Sequence, residues 1–178
     1  LRAAVFVLSA SLATAAAAQS SAPMSVAPTA EDVMTRIDAR YDATAEIERK
    51  LWEFAEVGYQ ETRSSALLQN TLQAEGFSVD AGVAGIPTAF VAEWGAGGPI
   101  IAILAEFDAL PGINQDAAPE RAPIDGKAAG HACGHNLFGA GSLGAAIAVK
   151  NWLEETGTPG VIRVYGTPAE EGGSGKVY

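Results

Sequence analysis

The stretch GHACGHN, Gly130 to Asn136, holds both histidines of the chain and its only cysteine within five residues. Imidazole and thiolate are preferred zinc ligands, but most histidines bind no metal. Cys-x-His is not a zinc-finger spacing, which pairs two ligand sets. Gly130 and Gly134 strengthen the cluster, because they let the backbone turn tightly enough for Cys133 and His135 to face one point. Taken in isolation, each histidine reads equally as a helix cap or a polar core residue, and Cys133 as a small buried hydrophobe.

Two acidic pairs flank this cluster in sequence. Glu106 and Asp108 end the apolar run of GPIIAILAEFDALPG, and Glu170 and Glu171 follow GVIRVYGTPA. Thr167, Pro168 and Glu170 have the form of a capping box. The GGSG that follows starts helices poorly, so the box has little to cap. Adjacent carboxylates before a flexible glycine loop suit another division of labour, with one oxygen ligand for a metal and one general base for a metal-bound water. Adjacency leaves open which glutamate does which.

The glycine motifs compete with this reading. GAGSLG, Gly139 to Gly144, spells a dinucleotide-binding fingerprint, but no apolar strand runs into it. Small residues for close helix packing account for it better. GGSGKVY is not a phosphate-binding P-loop, because Val177 stands where Ser or Thr is required.

The elements that must position these residues follow from periodicity. Thr29 and Asp32 form a capping box ahead of Val33, Ile37, Tyr41, Ile47, Leu51 and Phe54, whose spacing predicts a long helix over 30–56. A second helix is expected from 62 to Glu75, with Gly76 as its stop. FSVDAG and PTAFVAEWG read as strands, and GPIIAIL as a strand buried on both faces. Residues 111–130 read as a loop. A helix over 137–155 with Leu143, Ala146, Ile147 and Leu153 inward leads to the strand GVIRVYG. The order gives an α/β fold with a mixed or parallel sheet flanked by helices. Sites in open α/β sheets form beyond the carboxyl ends of strands, so both acidic pairs and GHACGHN can meet at one sheet edge.

The 178 residues have room for one domain, and 21 acidic against 11 basic residues exclude the basic face that nucleic acid needs. Arg2, an apolar run broken by Ser9 and Ser11, and Ala16–Ala18 have the parts of a secretory signal over 1–18. The run is short of a bilayer span, so no membrane attachment is expected after cleavage, and the protein is expected to be exported, periplasmic or secreted, with a cytoplasmic location as the alternative. Residues 19–29 read as a Ser/Pro/Ala linker, and both ends of the chain look cut. A lone cysteine in an exported chain has no internal disulfide partner.

LAEFDALPG, GHACGHN, GSLGAA and GTPAEEGGSGKVY, in this order, resemble the M20 family of metal-dependent amidohydrolases and peptidases. LWEFAEVGYQETRSSALLQNTLQAEGF is similar to that family's opening helices, so the resemblance spans roughly residues 31–178. Asn136, where many relatives carry Asp, and the glycine run after the glutamates favour the aminobenzoyl-glutamate branch over the auxin-conjugate hydrolases. The resemblance implies that Cys133 and His135 are a metal-binding pair, Glu171 a further ligand and Glu170 the general base and acid. Asp108, in the DALP loop, takes a supporting role, and His131 is not assigned to metal. It implies two divalent metal ions, zinc or manganese, and hydrolysis of the amide bond of p-aminobenzoyl-glutamate, a related N-acyl amino acid or a dipeptide.

Members of that family are more than twice as long, bring further histidine ligands from beyond the PAEE segment and insert a lid domain for dimerisation and substrate binding. Residues 30–178 are therefore expected to form the N-terminal part of a zinc-peptidase-like catalytic domain without the lid. Such a piece is expected to have little or no activity alone, and a homodimer is expected only of a full-length protein. The reading from another class is a non-catalytic binding module that kept the fold.

Overall fold

The computed structural model describes residues 27–178. The expected signal over 1–18 and most of the 19–29 linker lie outside the described residues. Thr29 caps α1 (Ala30–Ala39) as its sequence predicts. Its hydroxyl accepts from the Asp32 N–H at 3.2 Å, and the Asp32 carboxylate accepts from the Thr29 N–H at 2.8 Å. Two amides that a helix start leaves without partners are thereby satisfied.

The single helix expected over 30–56 is two helices. Arg40, at φ −98° and ψ 0°, separates α1 from α2 (Tyr41–Phe54). The hydrophobic period runs through the break, so the pattern does not mark it. Beyond α2, α3 (Thr62–Ala74) ends in the expected way, with Gly76 at φ +90°.

Among the described residues, four strands form the main sheet: β1 (Ser78–Ala81), β2 (Phe90–Ala96), β3 (Ile100–Glu106) and β6 (Gly160–Thr167), in the order β1-β2-β6-β3. β6 lies antiparallel to β2 and parallel to β3. The parallel pair requires a crossover, and α4 (His135–Thr156) provides it. Alternation sends Phe90, Ala92, Ile162, Val164 and Ala105 to one face, where Leu51 of α2, Leu68 and Leu72 of α3, and Leu143, Ala146 and Ile147 of α4 cover them. Fully burying each large side chain in this core contributes about 1.5–3 kcal/mol. The predicted inward stripe of α4 is buried throughout.

β3 departs from expectation. Its run of isoleucines reads as buried on both faces, yet it is an edge strand, with Ile100, Ile101 and Leu104 exposed. The helices α2, α3 and α4 pack on one face only. The opposite face carries Val91, Leu104 and Tyr165 beside an Arg163–Glu93 ion pair.

Residues 111–130 are not wholly a loop. β4 (Leu110–Pro111) and β5 (Ala129–Gly130) form a two-residue antiparallel ladder that returns the chain to the end of β3. Gly130 is required there, because a Cβ would lie 2.3 Å from the Ile113 carbonyl oxygen. That close approach delivers GHACGHN to the start of α4.

Candidate active site

β3 and β6 run in register to adjacent ends, with Glu106 opposite Thr167. Phe107 and Asp108 continue from one end, and Pro168 to Glu171 from the other. α4 begins between them, with Gly134 at φ +87° as its N-cap and His135 in its first turn. Gly139 seats the helix on the strand end: an added Cβ would lie 2.9 Å from the Glu106 carbonyl oxygen. Ser142 adds a hydroxyl donor to the Leu104 carbonyl at 2.7 Å. The GAGSLG motif therefore serves close helix-to-strand packing.

His135 is buried at the centre of the acids. Its Nδ1–H donates to Asp108 Oδ1 at 3.0 Å and to the Asp108 carbonyl at 3.1 Å. The other oxygen of the same carboxylate, Oδ2, accepts the Glu171 N–H at 2.9 Å. Burial opposes the charge on Asp108, yet the bonds from His135 and the Glu171 amide outweigh it and hold its carboxyl below the ordinary range. Asp108, with burial working against it, is also what raises the His135 imidazole above its ordinary value, helped by Glu106 and Glu171.

With Nδ1 committed to Asp108, Nε2 is the free ring nitrogen, 3.1 Å from Glu106 Oε2 and 3.8 Å from Glu170 Oε2. A neutral imidazole would set its lone pair against a carboxylate there. Either a second ring proton or a cation between the groups makes that contact favourable.

Two donor groups meet at this edge. The ligand atoms of Cys133, His135 and Glu171 lie within 4.8 Å of one another, as do those of Glu106, His135 and Glu170. Ligand atoms around one tetrahedral ion stand roughly 3–4 Å apart, so little movement separates the first group from a coordination shell. The residues fit a metal on a second ground: Glu171 Oε1 is buried without a hydrogen-bond partner. Sulfur, nitrogen and carboxylate oxygen together suit zinc, and the carboxylate and imidazole donors also accept manganese. Contact with Glu171, then burial and the neighbouring acids, push the Cys133 thiol up, a direction that a bound cation reverses.

Cys133 is exposed, so the buried-hydrophobe reading of that residue does not hold. His131 lies outside both donor groups. Its Nε2–H donates to the Leu51 carbonyl at 3.0 Å, tying the loop to α2, and burial pushes the imidazole down to about 4.

The PAEE segment is corrected in one respect. Glu170–Gly173 form a single helical turn, α5, although Ala169 before it is left-handed and no side chain caps it. The Thr167 hydroxyl donates instead to the Ala105 carbonyl at 3.2 Å, so the capping box does not form. The sequence brings both acids of the strand-end pair to this edge but assigns a role to Asp108 alone. Glu106 joins His135 and Glu170 in the second donor group, and its i, i+2 spacing from Asp108 is the signal that points to it. Lys176 carried no such signal, yet its Nζ donates to Glu106 at 2.7 Å and to Glu170 at 3.1 Å.

Residues 102–178 match peptidase family M20/M25/M40. The chain is 43% identical over 143 residues to one subunit of the p-aminobenzoyl-glutamate hydrolase of Escherichia coli K12, covering 80% of this chain and 30% of that protein. This chain belongs to the M20 family. It is also 35% identical over 154 residues to the mouse Xaa-Arg dipeptidase, covering 80% of this chain and 32% of that protein. Among solved structures it resembles a dinuclear metal-binding M20 peptidase of Bacillus subtilis, with a TM-score of 0.62 and 29% identity over 74% of this chain and 36% of the other. The M20 chain thus spans about a third of the length of these relatives.

Proposed function

We propose that this chain carries the metal-binding and acid–base half of an M20 amide hydrolase. The observation behind it is the convergence of Cys133, His135 and Glu171 within 4.8 Å, with Glu170 beside them. Cys133, His135 and Glu171 hold metal, Glu106 adds a carboxylate at the same edge, and Asp108 supports His135. Two divalent ions, zinc or manganese, would supply polarisation of the amide carbonyl and a water acidic enough to ionise near neutral pH. Glu170 takes the proton from the attacking water and returns it to the leaving amine nitrogen. Lys176 holds the Glu170 carboxylate at the strand edge.

The substrate proposed is p-aminobenzoyl-glutamate or a related N-acyl amino acid or dipeptide, supported by the similarity to the Escherichia coli hydrolase and the mouse dipeptidase. The acidic balance supports no nucleic-acid partner. Arg2 and the small residues ending at Ala18 support export, and no described helix is long and apolar enough to cross a membrane. Because the chain spans about a third of its relatives, the isolated 178-residue polypeptide is expected to turn over slowly or not at all, and a homodimer is expected only of the full-length protein.

Glu170→Gln in the full-length protein tests the reading. Turnover should fall by about 10²- to 10⁴-fold while metal content stays unchanged. An unmodified full-length protein that binds p-aminobenzoyl-glutamate, dipeptides and N-acyl amino acids yet cleaves none would favour the binding module.

A further inference from the structure

Glu61 is a carboxylate with no solvent exposure, and neither the metal donors nor the acid–base chemistry uses it. Its place in the sequence, just ahead of α3, is that of a helix N-cap, but its side chain makes no capping bond. It is turned the other way. Oε1 accepts the Ala169 N–H at 2.8 Å, and Oε2 accepts the Thr88 hydroxyl at 3.0 Å.

Ala169 immediately precedes Glu170 and is itself buried, at φ 56° and ψ 40°. A residue with a Cβ rarely adopts this left-handed conformation unless its surroundings impose it. Three contacts from one loop impose it here. Glu61 holds the Ala169 amide. Gly58 packs so closely that an added Cβ would lie 3.0 Å from Ala169 Cα and Cβ. Tyr59 donates its hydroxyl to the Gly173 carbonyl at 2.9 Å, gripping the far end of the same turn.

We propose that Glu61 is a positioning residue for the Glu170–Glu171 pair, fixing the left-handed Ala169 and with it the direction in which both carboxylates leave the end of β6. The role rests on the proposed metal and base functions of that pair. A side chain that merely filled this space would be apolar, because burying a carboxylate is costly unless its hydrogen bonds are required. Asp108 holds the Glu171 N–H from the other side, so the turn is suspended between two buried carboxylates.

The test uses the full-length protein, with zinc affinity, turnover per folded molecule and exchange of the Ala169 amide as readouts. Glu61→Ala should weaken zinc binding and lower kcat, each by about tenfold or more, with little change in KM and faster exchange at Ala169. Glu61→Gln keeps an acceptor for that amide and should stay within about threefold of the parent. Adding Ala169→Gly to Glu61→Ala should restore part of the lost turnover, since glycine adopts the turn without strain; a purely structural role predicts no such rescue. If Glu61→Ala does not fold, Glu61→Asp replaces it, withdrawing the carboxylate by roughly 1.5 Å while keeping its charge. Parent-like zinc affinity and kcat in that substituted protein would overturn the proposal. If the unmodified protein hydrolyses no amide, the hydrolase reading fails, and zinc affinity with Ala169 exchange still decides the role of Glu61.

Discussion

His135 and Asp108 are joined at two points, the ring Nδ1–H reaching both Oδ1 and the backbone oxygen of the aspartate at 3.0 and 3.1 Å. The second carboxylate oxygen of Asp108 takes the Glu171 amide. One buried side chain at the end of β3 therefore sets a histidine on α4 and a glutamate beyond β6. A carboxylate behind a ligating histidine fixes its tautomer and raises its basicity as a donor.

Loss of that side chain should be felt by both neighbours. Asp108→Ala in the full-length protein is expected to weaken zinc binding by about 10- to 100-fold. Asp108→Asn should fall between, because its amide can face either His135 or the Glu171 N–H with an oxygen, but not both. Competition with a chromophoric chelator measures the difference. Unchanged affinity in Asp108→Ala would show that Glu171 and His135 hold their places without it.

Among the proposed ligands, Cys133 is the soft one. Cys133→Ser should reduce zinc affinity by about tenfold or more and manganese affinity far less, because thiolate selects zinc whereas hydroxyl does not. Stripping the parent with a chelator and restoring either ion separately gives the reference turnover. Equal losses for zinc and manganese would place the thiol outside the coordination shell.

Much of this arrangement was legible in the sequence. GHACGHN, the acids after two apolar runs and the glycine context all obey local rules of turn and strand, and the structure brings them to one edge. The edge position of β3 was not legible, because an apolar run says that a strand can be buried but not where the sheet order places it. The break at Arg40 escaped for a related reason: the apolar period continues across it. Glu61 escaped because its partners, Thr88 and Ala169, are 27 and 108 residues away, and local pattern offers only the capping role that its side chain declines.

The glycines of α4 give a paired prediction for stability. At Gly139 an added methyl meets the Glu106 carbonyl oxygen at 2.9 Å, whereas Gly141 has nothing within 4 Å. Gly139→Ala should destabilise by about 1–3 kcal/mol through overpacking of helix on strand. Gly141→Ala should stabilise by roughly 0.5–1 kcal/mol through helix propensity alone. Urea unfolding of the two variants distinguishes them by sign. Equal effects would mean that α4 does not sit as closely on β3 as Gly139 requires.

Glu61 also gives stability a pH dependence of definite sign. Burial raises its carboxyl, and the bonds from its own backbone amide, the Ala169 amide, the Thr88 hydroxyl and the Tyr59 backbone offset this only in part. A carboxyl raised on folding contributes stability that is fully present below its unfolded value, which is near 4.3, and is lost as pH rises through the folded one. Glu61→Gln removes the ionisation and leaves the neutral hydrogen bonds. The variant should therefore match the parent under acid conditions and gain on it as pH rises from about 4, levelling off above the folded value. For scale, a carboxyl held one pH unit high corresponds to about 1.4 kcal/mol. Urea midpoints of both proteins, measured across that range with chelator present, provide the comparison. A gap that stays constant with pH would mean that Glu61 titrates alike in the folded and unfolded chains, and that its hydrogen bonds offset the whole cost of burial.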